Sequence, residues 1–171
     1  MGLFGPPNVE KARASGKIED MLRAARYKKD PAVAEAGRVA LAEHLDLLIK
    51  ELDTRNIRRL QIAREALVRI GPPARDRLIF ILGEGHVHRR QDAAFVLGEM
   101  KDEAAVAPLC ESLRHTDPLL RLLSAQALGK IGSPQAIRGL RLASMDQDPK
   151  VADEARKALR KIPGGLVGAG G

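Results

Sequence analysis

The amino-acid sequence predicts an all-α fold, an α-solenoid of about five stacked helix pairs, on three observations. The first is an internal repeat. DPAVAEAGRVALAEHL from Asp30, NIRRLQIAREALVRIG from Asn56, HVHRRQDAAFVLGEMK from His86, DPLLRLLSAQALGKIG from Asp117 and DPKVADEARKALRKIP from Asp148 align with a Leu at the twelfth place of each. These landmarks, Leu41, Leu67, Leu97, Leu128 and Leu159, follow one another at intervals of 26, 30, 31 and 31 residues. The second observation is that the segments open on residues that start helices. The third is composition: 44% of the 171 residues are hydrophobic, yet the only rings are Phe4, Tyr27, Phe80 and Phe95, and Trp is absent. The core must therefore be aliphatic, and Ala, Leu and Val at helix crossings let short helices approach closely. No stretch alternates apolar and polar residues with β-branched or aromatic enrichment, which removes the strand alternative.

Taken in order, residues 1–17 are interrupted by Gly and Pro and are expected to be flexible, with Leu3 and Phe4 free to cover the apolar end of the first repeat. The repeat domain is expected over residues 18–162. Its B helices fall near 31–43, 56–70, 87–100, 118–131 and 149–162. In Asp30-Pro31, Asp117-Pro118 and Asp148-Pro149 the carboxylate can accept the orphan amide hydrogens of a new helix, and Pro occupies the first helical place, where no amide hydrogen is needed. Asn56 can cap in the same way, and His86 is a weak substitute. Gly71 and Gly132 end two of the B helices. The A helices fall roughly at 18–28, 44–53, 73–83, 103–114 and 134–145, with apolar residues such as Leu47, Leu48, Leu52, Leu78, Ile79 and Leu82 turned toward the B helices. After Leu41 the chain reads AEHLDLLIKEL with no turn-forming cluster, so the first join is compressed, with a tight connection expected near Glu43 to Asp46. The Gly-rich stretch 163–171 is expected to be a flexible tail.

The segments GPPARDRLIFIL, DEAAVAPLCESLRHTDPLLRLLSAQALGKIGSPQAI and DPKVADEARKALRKI resemble HEAT-like repeats of the short class, about 30 residues each, first grouped with phycobiliprotein lyases. The resemblance covers roughly residues 18 to 162. It implies a right-handed superhelix with B helices on the concave side. For function it implies a range of roles: interaction scaffolds, bilin-handling lyases and distant DNA glycosylases for alkylated bases. The glycosylase base site is aromatic and contains Trp; this chain has no Trp, so those positions do not transfer.

Charge is concentrated. The chain has 29 Lys and Arg against 22 Asp and Glu, a net of +7. Between residues 55 and 90 stand nine Arg and three acids, so that stretch carries nearly all the excess. At the fourth place of the aligned segments three repeats have Val33, Leu120 and Val151, whereas two neighbouring ones have Arg59 and Arg89. Arg58, Arg59, Arg89 and Arg90, with Arg121 of the fourth repeat, form the candidate partner-binding set. The planar guanidinium fork suits carboxylate or phosphate, and the alternative is a solvated edge whose Arg stems cover apolar surface.

Other chemistry finds little footing in the sequence. His86 and His88 are two apart, so on a helix they point in different directions and cannot chelate as an i, i+4 pair does. Cys110 is the lone cysteine, expected to pack as a small apolar residue rather than to act as a nucleophile. No phosphate-binding loop, dinucleotide fingerprint or nucleophile elbow occurs. No catalytic residue, metal or cofactor is therefore expected. No secretory signal or bilayer-crossing run is read either, which gives a cytoplasmic setting with no membrane partner. The reading that follows is a non-catalytic repeat scaffold binding another protein through its B-helix surface, with an acidic partner as the option the Arg set opens. A bilin lyase or lyase-type chaperone, and sequence-independent nucleic-acid binding, are its alternatives. The shortage of rings for base stacking speaks against nucleic acid.

Overall fold

The computed structural model describes residues 6–165; Leu3, Phe4 and the end of the Gly-rich tail lie outside them. Among the described residues the regular structure is helical, and the chain is an α-solenoid of helix pairs. It divides into two units, residues 1–74 and 75–171.

The first unit begins within the segment expected to be flexible. Here α1 (Val9–Ser15) is capped by Asn8, which accepts from the Lys11 amide at 2.8 Å, and it buries Ala12. The pattern behind α1 is too short for periodicity to reveal, but its cap and its left-handed Gly16 end are ordinary helix punctuation. Next come α2 (Ile18–Ala25) and α3 (Pro31–Ala42), and α1 packs on both. Asp30 accepts from the Ala32 amide at 2.9 Å to start α3. Only Glu43 and His44 separate α3 from α4 (Leu45–Lys50), which tightens into a 3-10 turn over Glu51–Asp53. Asn56 then caps α5 (Ile57–Ile70), which packs on α2, α3 and α4. The landmarks Leu41 and Leu67 are fully buried, each contributing about 2 kcal/mol through removal from water.

Helix α6 (Pro72–Glu84) carries the chain past Ala74 into the second unit. There α7 (Val87–Met100), α9 (Pro118–Ile131) and α11 (Pro149–Lys161) form a row of B helices, α7 against α9 and α9 against α11. The A helices α8 (Val106–Ser112) and α10 (Ile137–Ala143) each open with a 3-10 turn, and they pack on α9 and α11 respectively. Asp117 and Asp148 cap α9 and α11 through the amides of Leu120 at 2.6 Å and Lys150 at 2.8 Å, whereas His86 places no side-chain bond on α7. The B helices meet at small residues. A Cβ added at Gly98 would lie 2.7 Å from the Ala127 Cα, and one at Gly129 2.8 Å from the Ala158 Cβ. Leu97 and Leu128 are fully buried and Leu159 nearly so.

Candidate functional site

Two of the arginines singled out by sequence belong to the first unit. Arg58, on the first turn of α5, is exposed and makes no side-chain bond among the described residues. Arg59 beside it pairs with Glu51, whose carboxylate is mostly buried and whose second oxygen, Oε2, has no hydrogen-bond partner. One guanidinium is thus uncommitted while the other is drawn onto the 3-10 turn that precedes its helix.

The other three belong to the second unit and differ sharply. Arg121 is spent within the fold: Nε and Nη2 grip both oxygens of Asp146 at 2.7 and 2.9 Å, and Nη1 donates to the carbonyls of His115 and Thr116. Arg90 gives its Nε to the Gly85 carbonyl at 2.6 Å, tying the start of α7 to the turn before it. Arg89 is half-buried and engaged in an interaction of its own. The helix-start position that singled out Arg59 and Arg89 therefore marks two side chains that are already occupied.

Among the described residues no three His, Cys, Asp or Glu side chains converge as a metal site would require. The four imidazoles serve local structure or solvent: His44 Nδ1 meets the Ala40 carbonyl at 3.0 Å, His115 Nδ1 accepts from the Asp117 amide, His88 lies near Gln91, and His86 is exposed. Cys110 is half-buried; burial pushes its thiol above the ordinary value, and Glu111 adds to the effect, so the thiolate is disfavoured.

What the sequence reading missed lies on the A-helix side of the second unit. Between α8 and α10 runs an open groove of about 510 Å3, lined by Cys110, Leu113, Gly139, Leu142 and Ala143 with Arg114 and Arg138. A second groove of about 410 Å3, between α6 and α8, takes in Ile79, Leu82, Arg90 and Pro108 and shares Arg114 and Glu111 with the first. Arg114 and Arg138 are exposed and have no side-chain partner among the described residues. Composition could not point to them, because they stand outside the 55–90 stretch. The period of 31 also brings the A helices into register, DEAAVAPLCESLRHTDP from Asp102 with SPQAIRGLRLASMDQDP from Ser133, but it sets Arg114 opposite Met145 and Arg138 opposite Ala107, so the pair has no repeat signature.

The model for HEAT repeats matches residues 76–160, within the second unit. Over 94 residues, 54% of this chain and 31% of the other, the sequence is 32% identical to deoxyhypusine hydroxylase of Gallus gallus. It is 26% identical over 157 residues to deoxyhypusine hydroxylase-B of Oryza sativa subsp. japonica, covering 90% of this chain and 51% of that one. The chain thus spans between a quarter and about half of the length of the curated relatives it matches. Among solved structures, human deoxyhypusine hydroxylase superposes with a TM-score of 0.55 at 20% identity, covering 90% of this chain and 76% of the other. An engineered protein superposes with a TM-score of 0.53 at 21% identity, covering 92% and 83%. At those identities the superpositions speak for the fold. The similarity in sequence to proteins named as enzymes corrects the expectation of a non-catalytic interaction scaffold, and with it the expectation of no enzymatic role. Local motifs carry no sign of such chemistry because a solenoid spreads its functional positions over repeats far apart in sequence. Helix pairs repeating every 31 residues through the second unit, together with the match over residues 76–160, make that stretch of the chain a run of HEAT repeats.

Proposed function

We propose that the chain works in a hydroxylase acting on a protein-borne amine side chain of the deoxyhypusine type, as one block of helical repeats of such an enzyme. The observation that carries this is the match to the rice hydroxylase along 90% of the chain, which extends beyond the HEAT-repeat match and includes the irregular first unit. Repeat architecture alone would concentrate similarity in the regular repeats. Inserting one oxygen atom of dioxygen into a carbon–hydrogen bond calls for a flavin or a redox metal. The residues described here do not fit such a metal, since no three ligand-type side chains converge. The role proposed is accordingly to hold and orient the substrate side chain, with the oxygen-activating ligands supplied from beyond these residues. The setting proposed is the cytoplasm; no described helix is long and apolar enough to cross a membrane.

The test pairs two synthetic peptides that differ only in carrying deoxyhypusine or unmodified lysine. Calorimetry is expected to show at least tenfold preference for the deoxyhypusine peptide. Equal affinity for the two peptides would overturn the reading.

A further inference from the structure

We infer that the groove between α8 and α10 is a docking site for an acidic protein segment with interspersed aliphatic residues: Arg114 and Arg138 take its carboxylates, and Leu142 and Met145 its apolar side chains. The inference goes beyond the hydroxylase reading and does not depend on it.

The charge balance of the groove points to the ligand's sign. Two carboxylates line it, Glu111 and Asp146, but Asp146 is neutralised by the bidentate grip of Arg121. Glu111 is left against Arg114 and Arg138, neither of which has a side-chain partner among the described residues. Other arginines of this unit find acids within the fold, as Arg75 finds Asp76 and Asp102, and Arg156 finds Asp153. A guanidinium offers a planar fork that carboxylates fill with two parallel hydrogen bonds.

Apolar exposure points to a protein segment rather than a simple anion. Leu142 is 53% exposed and Met145 74%. Leu142 is on the last turn of α10 and Met145 in the turn after it, its amide donating to the Leu142 carbonyl at 3.1 Å, and Leu142 opens onto both the main groove and a neighbouring depression that includes Ile137, Arg138 and Met145. Met is unbranched and adapts to irregular partners, which suits a docking surface better than a core position. Adjacent exposed apolar side chains rimmed by charge mark interaction sites. The lining has no ring on which a base could stack, which disfavours a single-stranded nucleic acid as the occupant.

The probe is a fluorescein-labelled peptide of alternating Glu and Leu, titrated by anisotropy against the full chain. A peptide with Lys in place of Glu and a labelled oligouridine serve as comparisons. Saturable binding of the Glu-Leu peptide is expected, weakened at least tenfold by Arg114→Glu with Arg138→Glu and several-fold by Met145→Ser. Arg160→Glu, an exposed change on α11, should leave it unaltered. All the substituted residues are exposed, so the helical circular dichroism should be unchanged and serves as the folding control. No saturable binding, equal binding by the double charge reversal, or tighter binding of oligouridine than of peptide would each overturn the inference.

Discussion

In the first unit, two of the ion pairs that join one helix to another are long Arg–Glu contacts lying in water. Arg13 of α1 reaches Glu43 at the end of α3, and Arg26 after α2 reaches Glu65 on α5, with side chains between about a third and a half exposed. The second unit keeps one partly exposed pair of long side chains, Lys130 of α9 with Glu99 of α7, and adds short Asp side chains fixed in turns. Arg121 of α9 grips Asp146 in the turn after α10, the two side chains only 16% and 10% exposed. Three Asp residues there also hold the backbone: Asp146 accepts from the Asp148 amide, Asp102 from the Ala104 amide and Asp117 from the Leu120 amide, and Asp117 accepts from the Gln91 side-chain amide as well. One carboxylate thus organises a turn and ties it to a neighbouring helix. The three Asp stand at different places of the repeat, but the turns that hold them belong to helix pairs spaced at 31 residues, against 26 for the first interval. The HEAT-repeat match confined to residues 76–160 reflects the same regularity.

The largest expected effect separates the two kinds of pair. Asp146→Ala leaves a mostly buried guanidinium unpaired and should cost about 3 kcal/mol, whereas Glu65→Ala should cost about 1 kcal/mol or less. Denaturant titrations of the full chain, followed by helical circular dichroism, measure both, and equal costs would erase the distinction. Molar salt should remove the Glu65 effect and spare most of the Asp146 effect. Acid gives a second check. The hydrogen bonds from Arg121 hold the Asp146 carboxyl below the usual carboxylate range, so the folded chain takes up that proton at lower pH than the unfolded chain. The stability it contributes is therefore complete above the unfolded value of about 3.9 and is lost as pH falls through the lower folded value. The cost of Asp146→Ala should be greatest near neutrality and fade below about pH 4.

Much of this architecture was legible in the sequence because caps and landmark leucines are local signals. Asp30, Asn56, Asp117 and Asp148 bond to amides two or three residues on, and Leu41 through Leu159 repeat at the spacing of the fold. What was not legible is where a side chain's hydrogen bonds go. Arg121 and Arg114 look alike in a composition count, yet one is locked by Asp146, 25 residues away, and the other faces solvent. Helix α1 escaped notice for a related reason: one buried residue, Ala12, is too little for a periodic pattern, and its anchor, Glu43, lies 30 residues downstream.

The two units do share a device, the close approach of helices at glycine. A Cβ at Gly98 would press on Ala127, and one at Gly37 would press on the backbone of Ala24 and Ala25. Each substitution to Ala gains about 1 kcal/mol of helix propensity but must push a packed helix away. Net losses of about 1–2 kcal/mol are expected for Gly98→Ala and Gly37→Ala alike. A loss at Gly98 with none at Gly37 would show that the first unit yields where the second does not, and thermal unfolding of the two variants decides it.

The smallest effect concerns a single irregularity inside the regular unit. The aligned ends of α5 and α9 carry Gly71 and Gly132, both with positive φ, but α7 ends on Lys101 in the left-handed region, φ 54° and ψ 35°. A side chain there brings its Cβ against the following carbonyl, at about 1–2 kcal/mol, whereas glycine has no such clash. Glycine also frees the unfolded chain, which takes back about 0.5–1 kcal/mol. Lys101→Gly should therefore stabilise the chain by about 0.5 kcal/mol, raising its denaturation midpoint at unchanged slope. A lowered midpoint would mean that the lysine holds its turn by contacts worth more than the strain it bears.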